Sequence, residues 1–328
     1  MLHLRYKTIQ TPFRHPFTTA HGMKTHQPAL LISLGFNGFM GFGEAPAIHY
    51  YGVRTEAMIE TLLTKVHMLE KFAFTEPDRF WHFCHHLFPQ DPFLVCALDM
   101  AYWDLYAKVN SKKIHEIMEI SWTEIPLTDY TIGMDEPEVM LQKMLDFPSP
   151  IYKIKVGSLH DLSTLQYLRK HSPAVFRIDA NASWSVETAK EIIPQLENLN
   201  IDLIEQPLAK ENFEDMKTLQ GLTSIPFIAD ESCVSEQDVA RCDGYFDGIN
   251  IKLTKCSGLT PALRMIKDAR NRNMKVMMGN MCESEIGSYA MAQFLPLLDF
   301  VDLDGPLLLD IPVLKRMRYD AGMVSLLN

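Results

Sequence analysis

Across the first sixty residues, apolar runs alternate with turn-forming residues. The run at 29–33, the interruption by Gly35, Asn37 and Gly38, and the run at 40–43 follow the order strand, tight turn, strand. The same glycines break up the longest apolar stretch, residues 30–42, which therefore predicts a β-hairpin and not a membrane span. From about residue 56 to 109 the spacing becomes helical. Met58, Leu62, Leu63, Val66 and Leu69 trace one helical face, and Leu94, Ala97, Leu98, Ala101 and Leu105 trace a second helix. Strands first and helices after predict an α+β unit over residues 1–120.

The texture changes after residue 121. Eight short runs, at 127–132, 152–156, 176–180, 203–206, 227–230, 249–253, 275–278 and 300–303, alternate with amphipathic helical stretches. That alternation predicts βαβ units and a parallel sheet. Polar residues close these runs at a regular step: 24 residues from Lys155 to Asp179, 26 to Glu205, 25 to Asp230 and 22 to Lys252. One strand, one helix and two loops fill such a step, and eight units close into a barrel with its chemistry at the carboxyl ends of the strands. The predicted fold is of the α/β class: a modified (β/α)8 TIM barrel over 121–309 beneath an N-terminal α+β capping domain. A C-terminal segment, 310–328, is expected to pack back on the cap.

Three successive runs end in an acid: Asp179 in RIDAN, Glu205 in LIEQP and Asp230 in IADES. Each alone is equally suited to capping the helix that follows. Three carboxylates crowded at one mouth repel unless a cation sits among them. Oxygen ligands from three adjacent strands suit Mg²⁺, so these are the predicted metal ligands, with one ion per chain.

Lys153 and Lys155, in YKIKVG, share a strand face. A closed barrel has no edge strand on which lysines serve solubility. Side by side they are expected to depress each other's pKa and leave one available as a neutral base. Lys252, in INIKLTK, takes the corresponding place on the sixth strand, across the barrel. Inversion at carbon requires a base on each face, so Lys155 and Lys252 form the predicted catalytic pair. Lys255, three residues on, is assigned to a loop. Asp302 and Asp304, in VDLDGP, share parity and point inward. Remote in strand order from the metal triad, they are expected to bind a cationic group of the substrate.

Other motifs carry less. His82, Cys84, His85 and His86 lie among Phe83 and Leu87, which suits an amphipathic helix better than a zinc site without a second ligand cluster. No G-x-G-x-x-G follows a strand, and neither a Walker loop nor G-x-S-x-G occurs, so nucleotide binding and serine hydrolysis lack support.

Composition narrows the class without changing the picture. At 47% hydrophobic and 22% charged, the chain can bury a large core. A net charge of −10 argues against a nucleic-acid partner. The opening residues MLHLRYKTIQ lack the order of a secretion signal, and no stretch approaches the roughly 20 apolar residues of a membrane helix. The six scattered cysteines read as buried thiols of a cytoplasmic protein.

Taken in order and spacing, YKIKVG, RIDANASW, IEQPL, IADES and NIKLTKCSG resemble the enolase superfamily in its muconate-lactonizing subgroup, over nearly the whole chain. The resemblance implies Mg²⁺ on Asp179, Glu205 and Asp230, and abstraction of a proton α to a carboxylate by Lys155 and Lys252. It gives Lys153 a substrate carboxylate oxygen to hold. VDLDGP is similar to the D-x-D feature of dipeptide epimerases, whose aspartates hold the free α-ammonium of a dipeptide. The implied reaction inverts the α-carbon of the C-terminal residue by a two-lysine 1,1-proton transfer through an enediolate. L-Ala-D/L-Glu is favoured as the commonest activity of such enzymes.

Relatives with that activity carry an arginine in a cap loop, where this chain has Gly22 within 17–26. His21 and Lys24 are then the substrate-binding candidates, with His26 a further cation and 47–52 a second loop. o-Succinylbenzoate synthase and muconate cycloisomerase, lyase and cycloisomerase alternatives, act on substrates without an ammonium, which would leave Asp302 and Asp304 without a partner. A catalytically silent binding protein sits poorly with retention of every required group. Homo-oligomers are common in the family.

Overall fold

A computed structural model describes residues 1–20, 22–157, 160–311 and 313–327. Three antiparallel strands open the chain: β1 (His3–Thr19), β2 (Gly22–Phe36) and β3 (Phe39–Pro46). Asn37 and Gly38, both with positive φ, turn β2 into β3 as a two-residue hairpin, the geometry that Asn-Gly favours. Five helices follow: Thr55–Leu63, Val66–Glu70, Pro77–Leu87, Pro92–Val109 and the one-turn Ile114–Ile117. The helical tract over 56–109 is thus divided, with Pro77 and Pro92 in first turns, where a missing N–H leaves no bond unmade.

The helix Pro92–Val109 is buried nearly all round, because β3 lies on one side and the barrel on the other. Gly41 and Gly43 permit that contact. A Cβ on either would stand 2.1 Å from Ala101 O or 1.9 Å from Ala97 O. In the helix Pro77–Leu87, Cys84 faces inward while His82, His85 and His86 face solvent, which separates the candidate zinc ligands.

Eight parallel strands then form one sheet in sequential order: β4 (Tyr130–Ile132), β5 (Ile151–Lys155), β6 (Val175–Asp179), β7 (Ile201–Glu205), β8 (Phe227–Ala229), β9 (Gly248–Ile251), β10 (Lys275–Gly279) and β11 (Phe300–Asp302). Each of the eight apolar runs overlaps one of them. A parallel bridge between Thr128 and Val301 brings the two ends of the sheet together into a nearly closed barrel. A helix of at least seven residues follows each of the first seven strands, but β11 is followed only by the one-turn Gly305–Leu308. This is a TIM barrel modified at its eighth unit. Leu203, Ile228 and Met277, with Phe300 against them, fill the barrel interior. The tail forms an antiparallel hairpin, β12 (Met317–Asp320) and β13 (Met323–Leu326). Met317 and Val324 join the barrel's apolar core, while Arg316 reaches back to Asp104 of the long cap helix at 2.8 Å.

Buried polar contacts fasten the cap to the barrel. Asp99, on the helix Pro92–Val109, accepts hydrogen bonds from the backbone N–H and hydroxyl of Thr260 at 3.1 and 2.9 Å. It thereby caps the helix Leu259–Asn271 from another part of the chain. Glu44 of β3 does the same for Glu285–Ala292, accepting from Ser284 and Gly287 N–H groups. Trp81 and Trp103 add indole bonds to Ser257 O and Thr260 Oγ1. These contacts hold the cap loops over the carboxyl ends of the strands.

Burial pushes the Asp99 carboxyl up to about 7, against the bonds from Thr260, from an ordinary 3.8. Folded chains then hold that proton through a pH range in which unfolded chains have released it. Stability from this group therefore falls as pH rises from about 4 to about 7, by at most ~1.4 kcal/mol per unit, and is flat above. Asp99→Asn lacks that dependence. The difference in urea midpoint between wild type and Asp99→Asn should shrink between pH 5 and pH 7.5; a constant difference would show that Asp99 is ionised throughout.

Candidate active site

Strand register assembles the site. Lys155, Asp179 and Glu205 pair across β5, β6 and β7 and stand level at the barrel mouth. One layer below, Lys153 pairs with Thr131 and Arg177. Asp230 follows β8 directly, Lys252 follows β9, and Asp302 closes β11. Lys153, Lys155, Asp230, Lys252, Asp302 and Asp304 all line one cavity of about 300 Å³. The cap supplies its roof with Phe17, Met23, Lys24, Ile48, Tyr50 and Tyr51. His21 lies outside the described residues. Asn181, Ala182, Gln206 and Cys282, each just past a barrel strand, hold positive φ, a conformation that non-glycine residues keep only where surroundings enforce it.

Lys153 is the centre of the charge arrangement. Its ammonium, 1% exposed, lies 3.0 Å from Asp179, 2.8 Å from Glu205 and 2.8 Å from Asp302. The expectation that Lys153 and Lys155 lower each other's pKa does not describe Lys153. Burial pushes it down, but Asp179, Asp302 and Glu205 outweigh that and hold it well above the ordinary lysine value. Lys155 contacts Asp179 Oδ2 at 2.5 Å. Burial works against ionisation of Asp179 as well, yet Lys153 and Lys155 hold it below the usual carboxylate range.

The carboxylate of Asp230 is divided between two lysines, Lys252 on Oδ2 at 2.7 Å and Lys255 on Oδ1 at 2.5 Å. Lys255 is no loop residue: it sits in a one-turn helix, Leu253–Cys256, and is buried. Glu205 Oε1 accepts from Asn250, while its Oε2 is buried and makes no hydrogen bond, with only Lys153 Nζ close by. Burial, reinforced by the charge of Asp179, pushes Glu205 up to about 7. An oxygen-only donor set on adjacent strands, all of it buried, fits a hard divalent cation. Lysines occupy those oxygens here.

Among the described residues, the carboxylates whose oxygens lie within 4.8 Å of one another are a different set: Asp129, Asp302 and Asp304. Sequence reasoning missed Asp129, which stands just before β4 without any motif around it. Arg177 donates to Asp129 at 2.9 Å, and the Thr131 N–H donates to Asp304 at 2.5 Å. Arg177 and Lys153 are the cations that touch this trio, and Lys153 is shared with Asp179 and Glu205. The trio is left short of positive charge. Burial and the charge of Asp302 together push Asp304 up to about 7. A monocation with N–H donors matches such a cluster better than a divalent ion, because Asp129 and Asp304 already receive donors.

Comparison with known proteins now bears on this geometry. Residues 144–324 match the family described as Enolase C-terminal domain-like. The chain belongs to the enolase superfamily. It is 42% identical over 315 residues to the L-Ala-D/L-amino acid epimerase of Flavobacterium johnsoniae, covering 96% of this chain and 94% of the relative. A dipeptide epimerase from Cytophaga hutchinsonii, solved with Mg and the dipeptide D-Ala-L-Val, superposes with a TM-score of 0.91 at 26% identity, covering 98% of this chain and 92% of that one. A substrate-liganded complex of the L-Ala-D/L-Glu epimerase of Bacillus subtilis gives a TM-score of 0.92 at 25% identity, covering 99% and 95%. This superfamily member is an isomerase, as these relatives are.

Arg177 is 2% exposed and bonds Asp129, Asp202 and the Val301 carbonyl. Arg177→Met should cost about 3–5 kcal/mol, because it strands a buried carboxylate. Adding Asp129→Asn to that variant should recover part of the loss, as read by urea denaturation. A double variant no more stable than Arg177→Met would show that Asp129 does not depend on Arg177.

Proposed function

We propose that this protein is a Mg²⁺-dependent dipeptide epimerase that inverts the α-carbon of the C-terminal residue. The observation that carries the reading is one barrel mouth: Lys155 and Lys252 line its cavity from opposite strands together with Asp230, Asp302 and Asp304, while Asp179, Glu205 and Asp129 lie buried behind that lining. A dipeptide offers complementary ends: a carboxylate at one and an ammonium at the other.

Asp179, Glu205 and Asp230 would hold Mg²⁺, displacing the lysines that now occupy their oxygens. When bound, the ion supplies charge stabilisation for the substrate carboxylate as its α-hydrogen leaves. Asp302 and Asp304 take the ammonium, which fixes the distance from that end to the reacting carbon. Lys153, held protonated, stays a fixed cation beside the carboxylate site. Lys155 takes the α-proton from one face, and Lys252 returns a proton to the other. Their roles exchange for the opposite epimer. Among dipeptides we place L-Ala-D/L-Glu first, with Lys24 of the cap as the cation available to a glutamate side chain; His21 is the second candidate.

In D₂O with Mg²⁺, a substrate dipeptide should gain deuterium at the C-terminal α-carbon while it epimerises. A broad L,L-dipeptide library showing neither exchange nor inversion would remove the assignment. Asp304→Asn should reduce kcat/KM for the dipeptide at least 10-fold; unchanged turnover would take ammonium binding away from Asp304. Removal of divalent metal with EDTA should abolish exchange, and Mg²⁺ should restore it.

A further inference from the structure

Lys255 has no place in the reaction just described, yet it makes the densest set of contacts of any lysine near the mouth. Its side chain is 1% exposed. Its ammonium donates to Asp230 Oδ1 at 2.5 Å, to Asp230 O at 2.6 Å, to Cys233 O at 2.9 Å and to Asn250 O at 3.2 Å. Four acceptors surround three N–H bonds, so the group is held in one position. Lys252 lines the cavity and Lys255 does not. The two lysines therefore approach Asp230 from different sides, Lys252 from the substrate and Lys255 from behind.

This arrangement has a consequence for catalysis. A carboxylate with both oxygens free can rotate, bind a cation through either or both, and re-form its pair with Lys252. Asp230 cannot, because Lys255 anchors Oδ1 and the backbone carbonyl together. Oδ2 is the oxygen that pairs with the cavity-lining Lys252.

We propose that Lys255 is a positioning residue that presents Asp230 to the divalent cation through Oδ2 alone. The proposal rests on the epimerase reading above. It links a residue outside the cavity to metal affinity.

Calorimetric titration of Mg²⁺ into substrate-free protein tests it without relying on turnover. Lys255→Met should weaken Mg²⁺ binding about 10–100-fold, the range found when a group supporting a metal ligand is lost. Lys255→Arg, which restores a cation, should recover part of that affinity. Wild-type affinity in a folded Lys255→Met protein would overturn the proposal alone. Absence of Mg²⁺ binding by the wild type would overturn both the proposal and the epimerase reading beneath it.

Wild-type protein labelled with ¹⁵N at lysine Nζ gives a readout that does not depend on the variant folding. The Lys255 signal should persist unchanged on Mg²⁺ addition, while the Lys252 signal should shift as its pair with Asp230 opens. Movement of both signals together, or of neither, would overturn the proposal.

Discussion

The site depends on charge compensation inside a closed barrel. Buried lysines and carboxylates are gathered at the mouth with little water to solvate them, among them Lys153, Lys155, Lys252 and Lys255 against Asp129, Asp179, Glu205, Asp230, Glu231, Asp302 and Asp304. Any one of these charges alone would be expensive to bury. Lys153 makes the set tolerable, since one ammonium touches acids on β6, β7 and β11. Its backbone position follows from strand parity, and its reach across the barrel follows from closure. Removing either condition would leave several buried acids without a counter-charge.

The cap depends on the barrel through the same device used twice. Asp99 and Glu44 each cap a barrel helix from the cap side, so N–H groups of Thr260, Ser284 and Gly287 gain these acceptors only when the two units are docked. Docking sets Phe17, Lys24 and Tyr51 above Lys155 and Lys252. Stability and substrate enclosure thus share contacts. The positive-φ residues past the strand ends store strain at the mouth, and Gln206 restrains it: its amide accepts from Asp230 N and Ser232 N and donates to Leu208 O.

Much of the fold was legible because parallel strands buried on both faces are short continuous apolar runs, and the repeat length of a βαβ unit is visible as spacing. The same spacing found Lys155, Asp179, Glu205, Asp230, Lys252 and Asp302, since residues at strand ends converge in any such barrel. What was not legible is non-local. Asp129 joins the site because closure brings β4 beside β11, which no local pattern announces. Lys255 looks like a loop residue until a one-turn helix folds it behind Asp230. The direction of the Lys153 pKa was misjudged from its neighbour in sequence, because the three acids around it come from other strands.

These misses share a cause and bear on how the site works. Pairwise reading treats Lys153 and Lys155 as two bases of like kind, differing only by position. Their surroundings separate them: Lys153 is ringed by acids, whereas Lys155 contacts one, Asp179, at the cavity wall. A divalent cation bound by Asp179, Glu205 and Asp230 would compete for the oxygens that Lys155 and Lys252 now hold. It would still leave Asp302 for Lys153 and the backbone carbonyls for Lys255. On the epimerase reading, metal binding would therefore release the two lysines proposed to carry protons, Lys155 and Lys252, and keep Lys153 and Lys255 in place. That division of labour is set by which acceptors remain once the triad is occupied, not by any difference in the lysine side chains themselves.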